Sequence, residues 1–121
     1  MSHRILIVDD EPNIVISLEY LMKKEGFQVA VAADGEAALQ QAAAFAPDLI
    51  LLDVMMPKKS GFEVCQALRA DPAQAAVKII MLTARGRETE VTKGLALGVD
   101  AYITKPFSTK DLVLQIKSLL A

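Results

Sequence analysis

Four short runs of this chain each stop at a polar residue, and three of them are apolar at every position. Ile5-Leu6-Ile7-Val8 leads into Asp9-Asp10, Leu49-Ile50-Leu51-Leu52 into Asp53, and Ile79-Ile80-Met81-Leu82 into Thr83. The fourth, Ala101-Tyr102-Ile103-Thr104, leads into Lys105-Pro106. A strand that is apolar throughout must be covered on both faces, and a parallel sheet packed between helices supplies that cover. The intervening sequence has to provide the helices, and it does.

Residues 4–8 read as the first strand. A helix over 12–25 follows, opened by Pro12 and carrying Ile14, Leu18, Leu21 and Met22 on one face, with Gly26 as its stop. Phe27 to Ala32 alternates, as an edge strand does. Asp34-Gly35 opens an alanine-rich helix that must end near Ala46, because Pro47 follows. After the strand 49–52, Ser60 caps a third helix, with Glu63 placed for a capping box. Residues 78–82 form the fourth strand and 88–97 the fourth helix, which contains Gly94 and ends at Gly98. Residues 101–104 are the fifth strand, and Ser108 caps a final helix with Leu112, Ile116 and Leu119 facing inward. Five strands and five helices in strict alternation, joined by right-handed crossovers, predict a flavodoxin-like doubly wound (βα)5 sheet in the order 2-1-3-4-5.

In that order the first and third strands are neighbours, so Asp9, Asp10 and Asp53 converge at the carboxyl edge of the sheet, where open α/β folds place their sites. Carboxylates about 4 Å apart repel one another by roughly 4 kcal/mol at an effective dielectric near 20. A hard divalent cation relieves this, and magnesium, or manganese in its place, suits an all-oxygen donor set that also meets phosphate. Lys105 offers a mobile positive charge for a phosphoryl group and Thr83 a hydroxyl donor. Taken singly, each has a plainer reading: Asp9-Asp10 as a helix cap, Lys105 as a solvated surface lysine, Thr83 as a turn cap. The conjunction is what points to phosphoryl chemistry.

The bulk properties agree with one domain over residues 1–121. The chain is 53% hydrophobic, which argues against disorder, and its net charge of −2 argues against a nucleic-acid surface. Cys65, the single cysteine, reads as a small buried hydrophobe, and His3 as a solvated side chain. With no leader and no membrane-spanning stretch visible, the expected location is the cytoplasm.

The acidic pair Asp9-Asp10, the segment from Asp48 to Pro57, Ser60-Gly61, Met81-Leu82-Thr83-Ala84 and Tyr102-Ile103-Thr104-Lys105-Pro106-Phe107 together resemble the receiver domain of two-component response regulators, across essentially the whole chain. The likeness extends to stand-alone chemotaxis-type receivers and to receivers joined to winged-helix domains. Ala101 and Gln115 depart from the charged pattern of the latter. The resemblance implies that Asp53 accepts a phosphoryl group from a phosphohistidine on a sensor histidine kinase or phosphotransfer protein. Magnesium would be held by Asp10, Asp53 and the backbone carbonyl of Met55, with Asp9 acting through water. Lys105 and Thr83 would contact the phosphoryl oxygens, and the Lys105–Pro106 bond would be cis. Such a domain is a regulatory switch that catalyses only its own phosphorylation and dephosphorylation.

On this reading Thr83 moves toward the phosphoryl group and Tyr102 swings inward, past the small Ala84, the alternative being a fixed aromatic on the last strand. The output face would be the fourth helix, fifth strand and fifth helix. It would meet a downstream protein, a missing effector domain or a second copy. Met55 and Arg85 would border the phosphoryl group and limit water entry. Rival readings fare worse. A phosphatase with an aspartate nucleophile wants a second aspartate where Met55 stands, and Asp9-Asp10-Glu11 would repel the phosphate of a flavin. A receiver-like module that binds partners without phosphotransfer is the remaining alternative.

Overall fold

The computed structural model describes residues 3–54, 56, 60–84, 92–93, 95–105 and 107–121. Five parallel strands, β1 (Arg4–Val8), β2 (Gln28–Ala32), β3 (Leu49–Asp53), β4 (Lys78–Ala84) and β5 (Ala101–Lys105), lie in the order β2-β1-β3-β4-β5. The expected order is therefore the observed one. Helices α1 (Pro12–Lys24), α2 (Gly35–Phe45) and α3 (Gly61–Ala70) and a C-terminal helix (Thr109–Leu120) are complete. Of the predicted fourth helix, residues 92, 93, 95 and 96 are helical and Gly98 closes the turn at φ +99, while Gly94 lies outside the described residues.

Alternation along the strands divides the core in two. Leu6, Val8, Ile50, Leu52, Ile79 and Met81 pack with α2 and α3, through Ala38, Ala42, Val64, Cys65 and Leu68. Ile5, Ile7, Leu49, Leu51, Ile80, Leu82 and Ile103 pack on the other face with Leu18 and Met22 of α1 and Leu112 and Ile116 of the C-terminal helix. Residues 5–8, 49–52 and 79–82 are all buried. β2, by contrast, is only partly covered at Val29, Ala30 and Val31, as befits an edge.

The helix starts follow local chemistry. Asp34 accepts from Ala37 N, Ser108 from Asp111 N, and Ser60 with Glu63 closes a reciprocal capping box. Helix α2 ends at Ala46 in the left-handed region, φ 51, a conformation that costs a residue with a Cβ roughly 1 kcal/mol or more.

Three strands run further than the apolar runs suggest. β3 includes Asp53, β4 continues through Thr83 to Ala84, and β5 includes Lys105. The ladder accounts for the extension: Asp53 pairs with Leu82, Thr83 with Thr104 and Ala84 with Lys105. Backbone pairing carries on past the point where side-chain hydrophobicity stops.

Candidate functional site

Strand phase decides which of these end residues meet. Asp9, Asp53 and Lys105 continue the alternation of Ile5/Ile7, Leu49/Leu51 and Ala101/Ile103, the side covered by α1 and the C-terminal helix. They do come together. Lys105 Nζ lies 2.9 Å from Asp9 Oδ2 and 3.5 Å from Asp53 Oδ1. One carboxylate oxygen each from Asp9, Asp10 and Asp53 falls within 4.8 Å of the others. Asp9 is fully buried, Asp53 is 6% exposed, and Asp10 is exposed at the rim.

Asp9 does not cap α1 in the ordinary way. The cap position is Glu11, and Asp9 Oδ1 instead accepts from Glu11 N at 2.9 Å. Each Asp9 oxygen therefore already has a protein partner, one a backbone N–H and the other the Lys105 ammonium.

Glu11 is a member of the site that the motif pattern did not single out. Its carboxylate reaches Lys105 Nζ at 3.4 Å from a largely exposed position. Its place directly after the acidic pair was the available signal. Burial alone would lower the Lys105 pKa; the hydrogen bond to Asp9 and the charges of Asp53, Asp9 and Glu11 outweigh it, so the pKa stands above its usual 10.5. Lys105 is a firmly charged ammonium held by three carboxylates, those of Asp9, Glu11 and Asp53.

Thr83 is buried, 2% exposed, but it follows the opposite phase, that of Met81, on the side of the sheet facing α2 and α3. It shares that phase with Tyr102, which pairs with Met81 and is 44% exposed. Tyr102 borders a groove of about 600 Å³ that also involves Leu95, Phe107, Asp111 and Gln115. The side chain of Ala84, together with Met55, Arg85 and Pro106, lies outside what the structure describes, as does any bond to or from these groups.

A second residue the motifs underrate is Gly61. Its N–H donates to Val54 O at 2.9 Å, and a Cβ built on it would overlap the carbonyl oxygen of Asp53 and approach Val54 Cα at 2.9 Å. Helix α3 can start this close to the end of β3 only because residue 61 has no side chain. Cys65, on the same helix, is buried, and its thiol points at Leu97 O, 3.6 Å away. Burial raises its pKa above 9.0, with Asp100 adding to the rise and Arg69 opposing it, so it is an inert packing residue.

The donor set fits a hard divalent cation. Three carboxylates within 4.8 Å repel one another by about 3–4 kcal/mol per pair at an effective dielectric near 20, and one ammonium offsets only part of this.

A family model described as the response regulator receiver domain matches residues 5–117. Over 120 residues the chain is 46% identical to the alkaline phosphatase synthesis transcriptional regulatory protein PhoP of Bacillus subtilis, covering 99% of this chain and 49% of that protein. It is 43% identical to the DNA-binding response regulator MtrA of Mycolicibacterium smegmatis, covering 99% of this chain and 51% of that one. The chain thus spans about half the length of these curated relatives. Among solved structures, a putative response regulator from Chloroflexus aurantiacus superposes with a TM-score of 0.95 at 36% identity, covering 99% of this chain and 98% of the other. The chemotaxis response regulator CheY4 of Vibrio cholerae superposes with a TM-score of 0.92 at 30% identity, covering 98% and 99%.

Proposed function

The chain belongs to the response regulator receiver domain family, and we propose that it is a phosphorylation-dependent switch whose acceptor is Asp53. The observation that carries this reading is the meeting of Asp9, Asp10 and Asp53 with the Lys105 ammonium at the carboxyl edge of β1, β3 and β5. The donor is a phosphohistidine on a sensor histidine kinase or a phosphotransfer protein.

An Asp53 oxygen attacks phosphorus. The new O–P bond forms as the donor N–P bond breaks, and the electron pair returns to the imidazole nitrogen. Such transfers ask the protein for positioning and charge compensation more than for covalent chemistry. Lys105, 3.5 Å from Asp53, is placed to meet the equatorial oxygens. Thr83 supplies a hydroxyl from β4.

A bound magnesium or manganese ion would neutralise part of the developing negative charge. Asp10 and Asp53 would hold it, with the carbonyl of Met55. Asp9, whose two oxygens already accept bonds, would act through water. Its role here is to orient the Glu11 backbone and Lys105.

The acyl phosphate adds charge and acceptor oxygens at the end of β3, one strand away from Thr83 on β4. Movement of Thr83 toward them leaves room on the face it shares with Tyr102, and the exposed tyrosine turns inward. The groove beside Tyr102 changes with it, and this face meets a downstream protein, an effector domain or a second copy. Met55 and Arg85 limit the entry of water. We place the domain in the cytoplasm, acting as one unit over residues 1–121 without nucleic-acid contacts of its own. Among the described residues no helix is long and apolar enough to cross a membrane.

Incubation with acetyl phosphate and magnesium tests the reading by intact-protein mass. Wild type gains one phosphoryl group and Asp53→Ala gains none. Equal labelling of the two, or none of either, rejects Asp53 as acceptor.

A further inference from the structure

Glu11 is the one acid of the cluster to which neither the cation nor the transfer step assigns a task. Its backbone is tied at both ends: its N–H donates to Asp9 Oδ1, and its carbonyl accepts from Ile14 N and Val15 N. Only its side-chain torsions are free, and from that anchored base the carboxylate reaches Lys105 Nζ at 3.4 Å. In this resting arrangement Lys105 lies nearer to Asp9 and Glu11 than to Asp53, at 2.9, 3.4 and 3.5 Å.

We propose that Glu11 is a positioning residue for Lys105, holding the ammonium at the rim of the site until phosphoryl oxygens take it over. This rests on the reading of Asp53 as phosphoacceptor. The two contacts compete for one cation. Lys105 has to loosen its hold on Glu11 to draw closer to a group on Asp53, because the two carboxylates approach the ammonium from different places, the cap position before α1 and the end of β3. Glu11 also adds negative charge at the mouth of a site whose donor is an anion. Both effects slow loading, and both are modest because the Glu11 side chain is 59% exposed and water screens it. Asp10 shares the rim but contributes to the cation's donor set; Asp9 holds Lys105 from a buried position. Glu11 alone among these acids can be altered with the donor set intact.

Two variants separate the hold from the charge. Glu11→Gln removes the charge at constant length. Glu11→Asp keeps the charge but shortens the reach to Lys105. The first readout is the order of the Lys105 ammonium group, by side-chain nitrogen relaxation in metal-free protein. It should fall in both variants. The second is the rate of Asp53 labelling by acetyl phosphate with magnesium at fixed ionic strength. It should rise about threefold in Glu11→Gln, the scale of one partly exposed ion pair, and by a smaller factor in Glu11→Asp. Unchanged Lys105 order in both variants, or a labelling rate in Glu11→Asp equal to wild type, overturns the proposal. If wild type itself takes no label while the Lys105 order still falls in both variants, the acceptor reading fails and the hold by Glu11 stands.

Discussion

The two edges of the sheet use the same residue type in opposite ways. At the amino edge, Asp48 stands one residue before β3 and clasps Arg4: its N–H donates to Arg4 O and its carboxylate accepts from Arg4 N, both at 2.8 Å. Asp100 stands one residue before β5 and clasps Ile79 the same way, at 2.9 and 2.8 Å. The Arg69 guanidinium then joins Asp100 to the carbonyls of Gly98, Ala75 and Val77. At the carboxyl edge, Asp9, Asp10 and Asp53 face one another, with Lys105 against Asp9 and Asp53. One edge matches each charge to donors and acceptors that fix strand register. The other crowds like charges and leaves them partly unbalanced, which a fold tolerates where a ligand is to bind. Register-fixing contacts and crowded like charges lie at opposite ends of the same strands.

Arg69 ties the most groups together at the amino edge. Replacing it by Met leaves partly buried carbonyls and the Asp100 carboxylate short of donors, and unfolding in urea without metal should show a loss of about 3 kcal/mol. A loss below about 1 kcal/mol would mean that the amino edge is not the stabilising one. Gly61→Ala tests the other edge through its backbone. The added methyl has to push the end of β3 or the start of α3, so stability falls by about 2 kcal/mol. Asp53 labelling slows with it, whereas Arg69→Met keeps its labelling rate at temperatures where it remains folded.

Asp10→Asn should act with the opposite sign. Removing one of the crowded charges should stabilise the metal-free protein by about 1 kcal/mol, and magnesium, expected to raise the melting temperature of the wild type, should leave that of the variant unchanged. Destabilisation of the metal-free variant would show that repulsion at this edge is already compensated. The smallest effect belongs to Ala46, at the amino edge just before β3. Ala46→Gly relieves the left-handed conformation and should stabilise by about 0.5 kcal/mol, the αL penalty less the entropy of a glycine. A loss of stability there would locate strain elsewhere in the α2–β3 turn.

Much of this architecture is legible in the residues alone, for identifiable reasons. Strands apolar at every position announce burial on both faces, and Ser60, Ser108 and Asp34 mark helix starts whose side-chain bonds are then observed. The convergence of Asp9, Asp10, Asp53 and Lys105 follows from strand order. What hydrophobicity does not encode is phase and reach. Backbone pairing carries β4 on to Ala84, and alternation then sends Thr83 to the other side of the sheet from Asp53. Glu11 looks like one more acid at a helix start, and only side-chain geometry brings it to Lys105. Asp48 and Asp100 each precede an apolar run, but their clasps depend on the neighbouring strand, which is distant in sequence.

Asp9 carries two duties on two oxygens, and this decides how the acidic pair should be probed. Alanine at that position frees the Glu11 amide and removes the tightest anchor of Lys105 in a single step. A silent response to magnesium in such a variant would register a collapsed hinge-pin as readily as a missing ligand. Its exposed neighbour Asp10 is where charge can be withdrawn while the scaffold stands, so the two adjacent acids are not interchangeable targets.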